Sequence, residues 1–511
     1  MEFTQFSVAT EKPEKFKGDL LVYCCAQSDK GFIEHKGTRG SFLQKAVGLG
    51  DFSGKRGEKI FYYPNVEHPK SESRASRIVF LGIGKVTKDT AGPRIRELLR
   101  KLGGEIAKAA ETVKADRVMV VLPKFANTGT EQNAECICEG IALGDYRFEK
   151  YKNFDPEKKD YKGIKEVIVY AGTAATGARK GVKKGEIAGK ATCLARDMAN
   201  EPANEWTPEK FADVARRLSE SYLLKCRVLE KRDMKRLRMG GIVAVNKGSV
   251  DPPKLVVLEY KGKKSKQTLL VVGKGITFDS GGINLKPSTG MENMKFDMCG
   301  GAAVLAFMQA IGEEKPDLNI IAMIPATDNM LGSSSVKPGD VITHYGGTTS
   351  EIVNTDAEGR MVLADALAYG IKKYKPDCAI DIATLTGAAI IGLGHHYTGL
   401  LSNNDQVVGN LIEAGEKSGE PLWRLPLGSE YAKQIESKIA DIKNAGGRAG
   451  GTITAGCYLE KFVGDTCWAH LDIAGTAWDF TEKPYIPKGP SGVGVRTLLE
   501  FVRAWQDIKK A

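Results

Sequence analysis

The stretch Asn354-Thr355-Asp356-Ala357-Glu358-Gly359-Arg360 sets two carboxylates two residues apart and an arginine two residues further on. On an extended segment such neighbours share a face, so Asp356 and Glu358 are expected to close on one point. Upstream, Lys274-Gly275-Ile276-Thr277-Phe278-Asp279-Ser280-Gly281-Gly282 reads as a strand that ends at Asp279 and enters a glycine turn. Lys286 follows, then Asp297 within Met294-Lys295-Phe296-Asp297-Met298. These acidic segments lead into helical stretches, expected to begin near Gly300 and Met361. Strand, acidic loop and helix in succession are the grammar of a doubly wound α/β sheet, which collects its ligands at the carboxyl ends of its strands.

Taken singly, an Asp-x-Glu is most often a helix N-cap. Lys274, Asp279, Lys286, Asp297, Asp356, Glu358 and Arg360 together, on three loops at one sheet edge, fit a hydrolytic two-metal centre. Such a centre needs hard oxygen ligands that bridge and an open position for water. Lys274 in so acidic a place is a charge balancer or, if neutral, a nitrogen ligand. Lys286, just past the glycine turn, is placed to polarise a substrate carbonyl. Arg360, at a helix start, suits an anion. The six histidines, His35, His68, His344, His395, His396 and His470, show no HExxH spacing. A histidine zinc site is therefore disfavoured. A carboxylate-rich site tolerates Zn²⁺ and also suits Mn²⁺ or Mg²⁺. The pair His395-His396 reads as loop or core.

Working outward, short β-branched runs alternate with helical patterns, which implies α/β architecture throughout. In the first part, residues 19–23, 77–81, 117–122 and 166–170 read as buried strands, and 92–110 and 134–146 as helices. Residues 172–184, rich in Gly, Ala, Thr and Lys, read as a boundary. A helix over about 184–199 follows, then Thr207-Pro208-Glu209 as the start of the next, with threonine as N-cap and proline at the first position. Later strands are expected at 254–258, 268–272, 318–322, 378–382 and 468–472. The fold expected is a smaller, basic N-terminal α/β domain (1–175), a linker helix (176–200) and a larger catalytic α/β domain (201–511). The catalytic domain should have a mixed, largely parallel central sheet flanked by helices.

Two glycine motifs are decoys. Gly185-Glu186-Ile187-Ala188-Gly189-Lys190-Ala191 is one residue short of a phosphate loop and ends in alanine. Leu81-Gly82-Ile83-Gly84-Lys85 lacks the third glycine of a dinucleotide fingerprint.

With 511 residues, 42% hydrophobic and 27% charged, the chain has the makeup of a soluble multi-domain protein. The N-terminus has no basic and apolar leader, and the stretch 378–394 is interrupted by Asp381, so neither a signal peptide nor a membrane span is expected. Ten scattered cysteines without a CxxC pair read as reduced, mostly buried thiols of a cytoplasmic protein. The net charge of +11 is concentrated early. Through Lys190 there are 35 Lys and Arg against 25 Asp and Glu, and beyond it 39 against 38. That excess reads as a lysine-rich solvated surface, with contact to nucleic acid as the sharper alternative, although no nucleic-acid-binding motif accompanies it.

The segments 354–360, 272–282 and 294–298, joined by His470-Leu471-Asp472-Ile473-Ala474-Gly475, resemble the blocks of the leucyl aminopeptidase family of di-metal exopeptidases. The resemblance covers about residues 199–503; the N-terminal part matches only in position and α/β character. It implies one metal held by Lys274, Asp279, Asp297 and Glu358. The second would be held by Asp279, Asp356 with its backbone carbonyl, and Glu358. Zinc or manganese is implied, with Mg²⁺ or Co²⁺ as alternatives. Lys286 would stabilise the tetrahedral oxyanion, and Arg360 would hold a bicarbonate ion acting as general base. Peptides with a free N-terminus and a leucine-like first residue are the implied substrates, the amine bound at one metal and Asp297. Met294, Asn354, Thr384, Leu385 and Gly387 are candidate substrate contacts, and plain core packing is the alternative for Leu385. Residues 447–456 are a possible rim. The resemblance also implies a homohexamer. A DNA-binding role of the basic domain, or a related di-metal dipeptidase, are the alternative readings.

Overall fold

The computed structural model describes residues 3–28, 31–32, 41–64, 73–87, 89–153, 161–479 and 483–508. Two compact units emerge: Met1–Cys193 with Glu482–Pro487, and Leu194–Thr481 with Lys488–Ala511. His35 and His68 lie outside the described residues.

In the first unit a seven-stranded sheet runs Gln5–Ala9, Glu166–Tyr170, Arg117–Val121, Leu20–Ser28, Ile78–Lys85, Lys59–Tyr62, with Gly31–Phe32 off Leu20–Ser28. The first five are mutually parallel, and Lys59–Tyr62 and Gly31–Phe32 add antiparallel pairs. Helices Gly92–Val113 and Thr130–Gly144 cover one face around Leu99, Ile106 and Ile137. The other face packs Leu21, Phe52 and Phe80.

The Gly-rich segment 172–184 is not a loop. A short 3-10 turn, Gly172–Ala174, runs straight into the 26-residue helix Ala175–Asn200. Its glycines 177, 181, 185 and 189 recur every four residues and so line one helix face. A Cβ at Gly181 would meet the Glu131 carbonyl at 1.9 Å, and one at Gly185 the Glu135 carbonyl at 2.4 Å. The glycines are there to let two helices touch, which composition alone mimics as a linker. The phosphate-loop decoy lies inside this helix, and Leu81–Lys85 is simply the end of strand Ile78–Lys85.

The second unit holds a nine-stranded sheet. Its order is Leu422–Arg424, Thr398–Ser402, Cys467–Asp472, Cys378–Ala383, Thr268–Gly273, Asn319–Asn329, Lys254–Tyr260, Lys225–Glu230, with Gly275–Asp279 beside the far half of Asn319–Asn329. The four central strands are parallel, and antiparallel neighbours close both sides. They read as unbroken apolar runs because helices cover both faces. Thr268–Gly273, for example, is buried from Leu269 onward. The helices Cys299–Glu314 and Glu358–Tyr374 start at Cys299 and Glu358, one and three residues ahead of the expected positions. Thr207 does precede helix Pro208–Tyr222, with proline in its first turn, although its hydroxyl makes no capping bond.

Among the described residues one helical stretch, Met291–Glu314, is long and apolar enough to cross a membrane, and 89% of its apolar window is buried inside the protein. That is the composition of a core helix. All ten cysteines are free thiols, nine of them buried.

Candidate active site

The carboxyl ends of Thr268–Gly273, Gly275–Asp279 and Cys378–Ala383 present Lys274, Asp279 and Thr384. The 354–360 segment, contrary to expectation, does not leave the same sheet edge. It follows Thr349–Glu351, the middle strand of a separate three-stranded sheet with Val341–Thr343 and Ile442–Lys443. Strand Thr268–Gly273 breaks at Lys274 and resumes as Gly275–Asp279, pairing with Asn319–Asn329 across a register shift before Asp279. Asp279 then faces the loop edge. Gly281 and Gly282 follow at φ +86° and +65°, left-handed conformations that favour glycine. A Cβ on Gly281 would also meet the Asn284 carbonyl at 2.4 Å. Asp297 directly follows the 3-10 turn Met291–Phe296, just ahead of helix Cys299–Glu314.

The signature segment is not extended. Thr355 and Asp356 form a turn and Glu358 opens helix Glu358–Tyr374. The convergence expected of Asp356 and Glu358 is still there, produced by a turn and a helix start instead of a strand face. One ligand oxygen each from Asp279, Asp356 and Glu358 lies within 4.8 Å of the others. The Oε2 of Glu358 is buried without a hydrogen-bond partner among the described residues. A cluster of hard oxygens with an unpaired buried carboxylate oxygen fits divalent ions.

Two lysines thread the acids. Lys274 Nζ lies 2.7 Å from Asp297 Oδ2 and 2.8 Å from Glu358 Oε1, and donates to the Thr384 carbonyl at 3.0 Å. Lys286 Nζ lies 2.8 Å from Asp279 Oδ2 and 2.5 Å from Asp356 Oδ1. Lys274, Asp279 and Glu358 are each 2% exposed, so the Lys274 pairs are set deep in the protein, while the Lys286–Asp356 pair keeps some access to solvent. Burial works against the Lys274 ammonium, but Asp297, Glu358 and Asp279 outweigh it and raise its pKa above the ordinary value. Burial raises Asp279, with Glu358 adding to it and the two lysines opposing. Burial likewise pushes Asp297 well up and Asp356 up, helped by their carboxylate neighbours. So much negative charge in so little space is a demand for cations.

Supporting donors fix the acids. Asp279 Oδ1 accepts from Gly281 N at 2.9 Å and Asn329 Nδ2 at 2.8 Å. Asn329 also donates to the Thr355 carbonyl, and Thr355 Oγ1 to the Gly281 carbonyl. The Thr384 hydroxyl donates to Asp297 Oδ1 at 2.7 Å. Asp472, at the end of its strand, accepts from Leu385 N and the Thr386 hydroxyl, pinning the 384–386 loop. Asn354 Oδ1 accepts from Asp356 N at 2.9 Å.

Arg360 is buried, donates through Nη1 to the Asn444 carbonyl at 3.0 Å, and leaves its Nε without a partner among the described residues. Burial lowers its pKa. An unpaired guanidinium N–H at the start of a helix fits an oxyanion.

Of the candidate substrate contacts, Thr384 and Asn354 bond directly to Asp297 and Asp356. Leu385 is partly buried against the apolar core, Met294 is half-buried, and Gly387 opens helix Gly387–Leu393. In the segment 447–456, Gly451 opens helix Gly451–Glu460, and the Thr452 hydroxyl lies 2.7 Å from that of Thr386. His395 and His396 sit in a loop; His344 and His470 are core residues bonded to Asp365 and Asp381. Asn329, Asn444 and Asp472 were not among the expected site residues. Only Asp472 had any signal, as part of the 470–475 segment that resembles a family block.

The family model described as the cytosol aminopeptidase family, catalytic domain, matches residues 193–499, and its N-terminal domain model matches 28–154. A probable cytosol aminopeptidase of Desulforapulum autotrophicum is 55% identical over 99% of this chain and 98% of its own. One from Desulfotalea psychrophila is 52% identical over 97% and 98%. Among solved structures, the bottromycin maturation enzyme BotP in complex with Mn is similar, with a TM-score of 0.83 and 33% identity over 95% of this chain and 99% of that one. A mutant tomato leucine aminopeptidase gives a TM-score of 0.84 at 30% identity over 98% and 96%. The chain belongs to the cytosol aminopeptidase family and is a metal-dependent aminopeptidase.

Proposed function

We propose that this aminopeptidase releases leucine-like N-terminal residues from peptides at a centre of two divalent ions built on Asp279 and Glu358. The observation that carries the reading is the convergence of Asp279, Asp356 and Glu358 within 4.8 Å. Lys274, Asp279, Asp297 and Glu358 would hold one ion, and Asp279, Asp356 and Glu358 the other. The Mn in the BotP complex supports Mn²⁺, with Zn²⁺, Co²⁺ or Mg²⁺ as alternatives. Bound there, the ions would lower the pKa of a water and polarise the scissile carbonyl.

The protein's own groups do the rest. Lys274 acts as a nitrogen ligand only after losing the proton that the carboxylates now hold on it. Asp297 receives the substrate's α-amine, which restricts the centre to N-terminal bonds. Lys286, 21% exposed at its side chain, is the cation that reaches the oxyanion. Arg360 would hold a bicarbonate ion, which would supply a general base there, and its unpaired buried Nε supports this. Met294, Asn354, Thr384, Leu385 and Gly387 are the substrate contacts of this reading, and residues 447–456 its rim.

Cytoplasmic location belongs to the same reading, supported by relatives named cytosol aminopeptidases. A homohexamer rests on the family resemblance, and light scattering gives its mass. The early charge excess fits a solvated lysine-rich surface and only permits DNA contact as a second role, which a salt-dependent gel shift tests.

The deciding experiment is hydrolysis of leucine p-nitroanilide by metal-stripped protein with Mn²⁺, Zn²⁺, Co²⁺ or Mg²⁺ added back, beside Glu358→Ala. Metal-restored activity that the variant lacks supports the centre; equal activity in the variant overturns it.

A further inference from the structure

We infer that Asn444 is a positioning residue that holds Arg360 and the Asp356 loop in one register, and thereby sets the affinity of the site for its anion. The inference rests on the reading of Arg360 as the holder of bicarbonate.

Asn444 is fully buried and follows the two-residue strand Ile442–Lys443, which pairs in parallel with Thr349–Glu351. Its own amide donates to the Glu351 carbonyl at 2.9 Å, continuing that pairing. Its side chain then takes over where the strand ends. Oδ1 accepts from Val353 N at 2.9 Å and from Asn354 N at 3.2 Å, while Nδ2 donates to the Asn354 carbonyl at 2.7 Å. A carboxamide presents an acceptor and a donor side by side, as a peptide unit does, and so pairs with the backbone of Asn354 in both directions. Aspartate lacks the donor, and serine can fill only part of the pattern.

The same residue reads the other side of the signature. Its main-chain carbonyl accepts from Arg360 Nη1 at 3.0 Å. Asn354, held by Asn444, in turn accepts from the amide of Asp356. One residue, more than eighty positions away in sequence, therefore fixes both the arginine and the loop carrying Asp356. A guanidinium is planar and rigid. Anchoring Nη1 orients its remaining donors, Nε among them, and Nε is the buried one without a partner among the described residues. Truncating Asn444 frees the loop that shapes this anchor, while Lys274, Asp279, Asp297 and Glu358 keep the hydrogen bonds and ion pairs described above.

The test is calorimetric titration of sodium bicarbonate into Mn²⁺-loaded wild type, Asn444→Ala, Asn444→Ser and Arg360→Ala, in carbonate-free buffer, with metal content measured on each. Losing buried hydrogen bonds of this kind costs about 10–100-fold. Asn444→Ala is expected to weaken bicarbonate by about that factor, with Asn444→Ser in between and the ion at Lys274, Asp279, Asp297 and Glu358 retained as in wild type. Added bicarbonate should restore kcat in Asn444→Ala, leave KM nearly constant, and fail to rescue Arg360→Ala. Wild-type bicarbonate affinity in both Asn444 variants, with binding lost in Arg360→Ala, overturns the role of Asn444 alone. Wild-type affinity in Arg360→Ala overturns the reading of Arg360 and this inference with it. Should Asn444→Ala fail to fold, the serine variant, which keeps an acceptor for the Val353 and Asn354 amides, gives the same readout.

Discussion

The Nζ of Lys274 lies 2.8 Å from Oε1 of Glu358, and the helix that carries Glu358 makes room for it at the very next residue. A Cβ at Gly359 would stand 2.6 Å from Lys274 Cε and 2.7 Å from its Nζ. The lysine cannot step aside freely, because Asp297, Glu358 and the Thr384 carbonyl hold its ammonium. Alanine itself suits a helix better than glycine, by about 1 kcal/mol, so Gly359→Ala should leave the fold intact. The expected outcome is loss of about one equivalent of metal and a fall in kcat of about 100-fold or more. Metal analysis beside steady-state kinetics checks it; wild-type metal content at wild-type kcat would show that Lys274 is not a ligand.

Lys286 tests the division between binding and chemistry. Its ammonium lies between Asp279 and Asp356 yet keeps partial solvent access. Burial opposes its charge, but Asp279, Glu358 and Asp356 raise its pKa, so it stays cationic throughout the working range. A fixed cation aimed at a developing oxyanion is worth about 10²–10³ in kcat. Lys286→Ala should lose that factor while still binding both ions, since it supplies no ligand. An unchanged kcat sinks the oxyanion role.

The candidate metal residues stand out in sequence because the proposed chemistry requires particular side chains at particular spacings, and the structure brings three of them, Asp279, Asp356 and Glu358, within 4.8 Å of one another. The backbone that delivers them was less legible. Asp356 and Glu358 were read onto an extended face, whereas a turn followed by a helix start brings them together. Local pattern cannot distinguish these, because tertiary bonds from Asn284 and Asn444 shape the turn. Asn329 and Asn444 left no trace for the same reason: an asparagine in a loop looks alike whether it clamps a neighbour or faces water. The helix Ala175–Asn200 matches the helix expected over 176–200, and only the reading of its first turns, 172–184, as a boundary missed. Its glycines look like a flexible boundary until the carbonyls of Glu131 and Glu135 are seen pressing against them.

In the first unit Asp145 makes stability depend on pH. Burial raises its pKa to about 6, partly offset by the amide of Ile164 and by Arg147. The folded state thus keeps a proton that the unfolded chain has already lost above its ordinary 3.8. Stability from this group is full below pH 4 and falls as pH rises to about 6, by at most about 3 kcal/mol at 1.36 kcal/mol per unit. Asp145→Asn keeps an acceptor for Ile164 N and removes the titration. In urea unfolding followed in this unit, the variant should gain on wild type between pH 4 and 6 and hold that gain above. A gap independent of pH counts against the assignment.

Thr384→Val isolates one hydrogen bond at the metal edge. The hydroxyl donates to Asp297 Oδ1 at 2.7 Å, while the Thr384 carbonyl separately accepts from Lys274. Valine keeps the shape and the carbonyl and deletes only the donor. Asp297, buried with its pKa pushed well up, then loses a group that favours its ionised form. Its hold on the ion should weaken by about 10–100-fold, the usual cost of losing a partner behind a metal ligand. Because Asp356 and Glu358 keep their partners, only one of the two ions should become easy to remove. Competition with a chelator, followed by metal analysis, should therefore show one weakened and one wild-type equivalent. Two equally weakened equivalents would mean that Thr384 supports the loop as a whole, and that the bond to Asp297 does not act through its own ion.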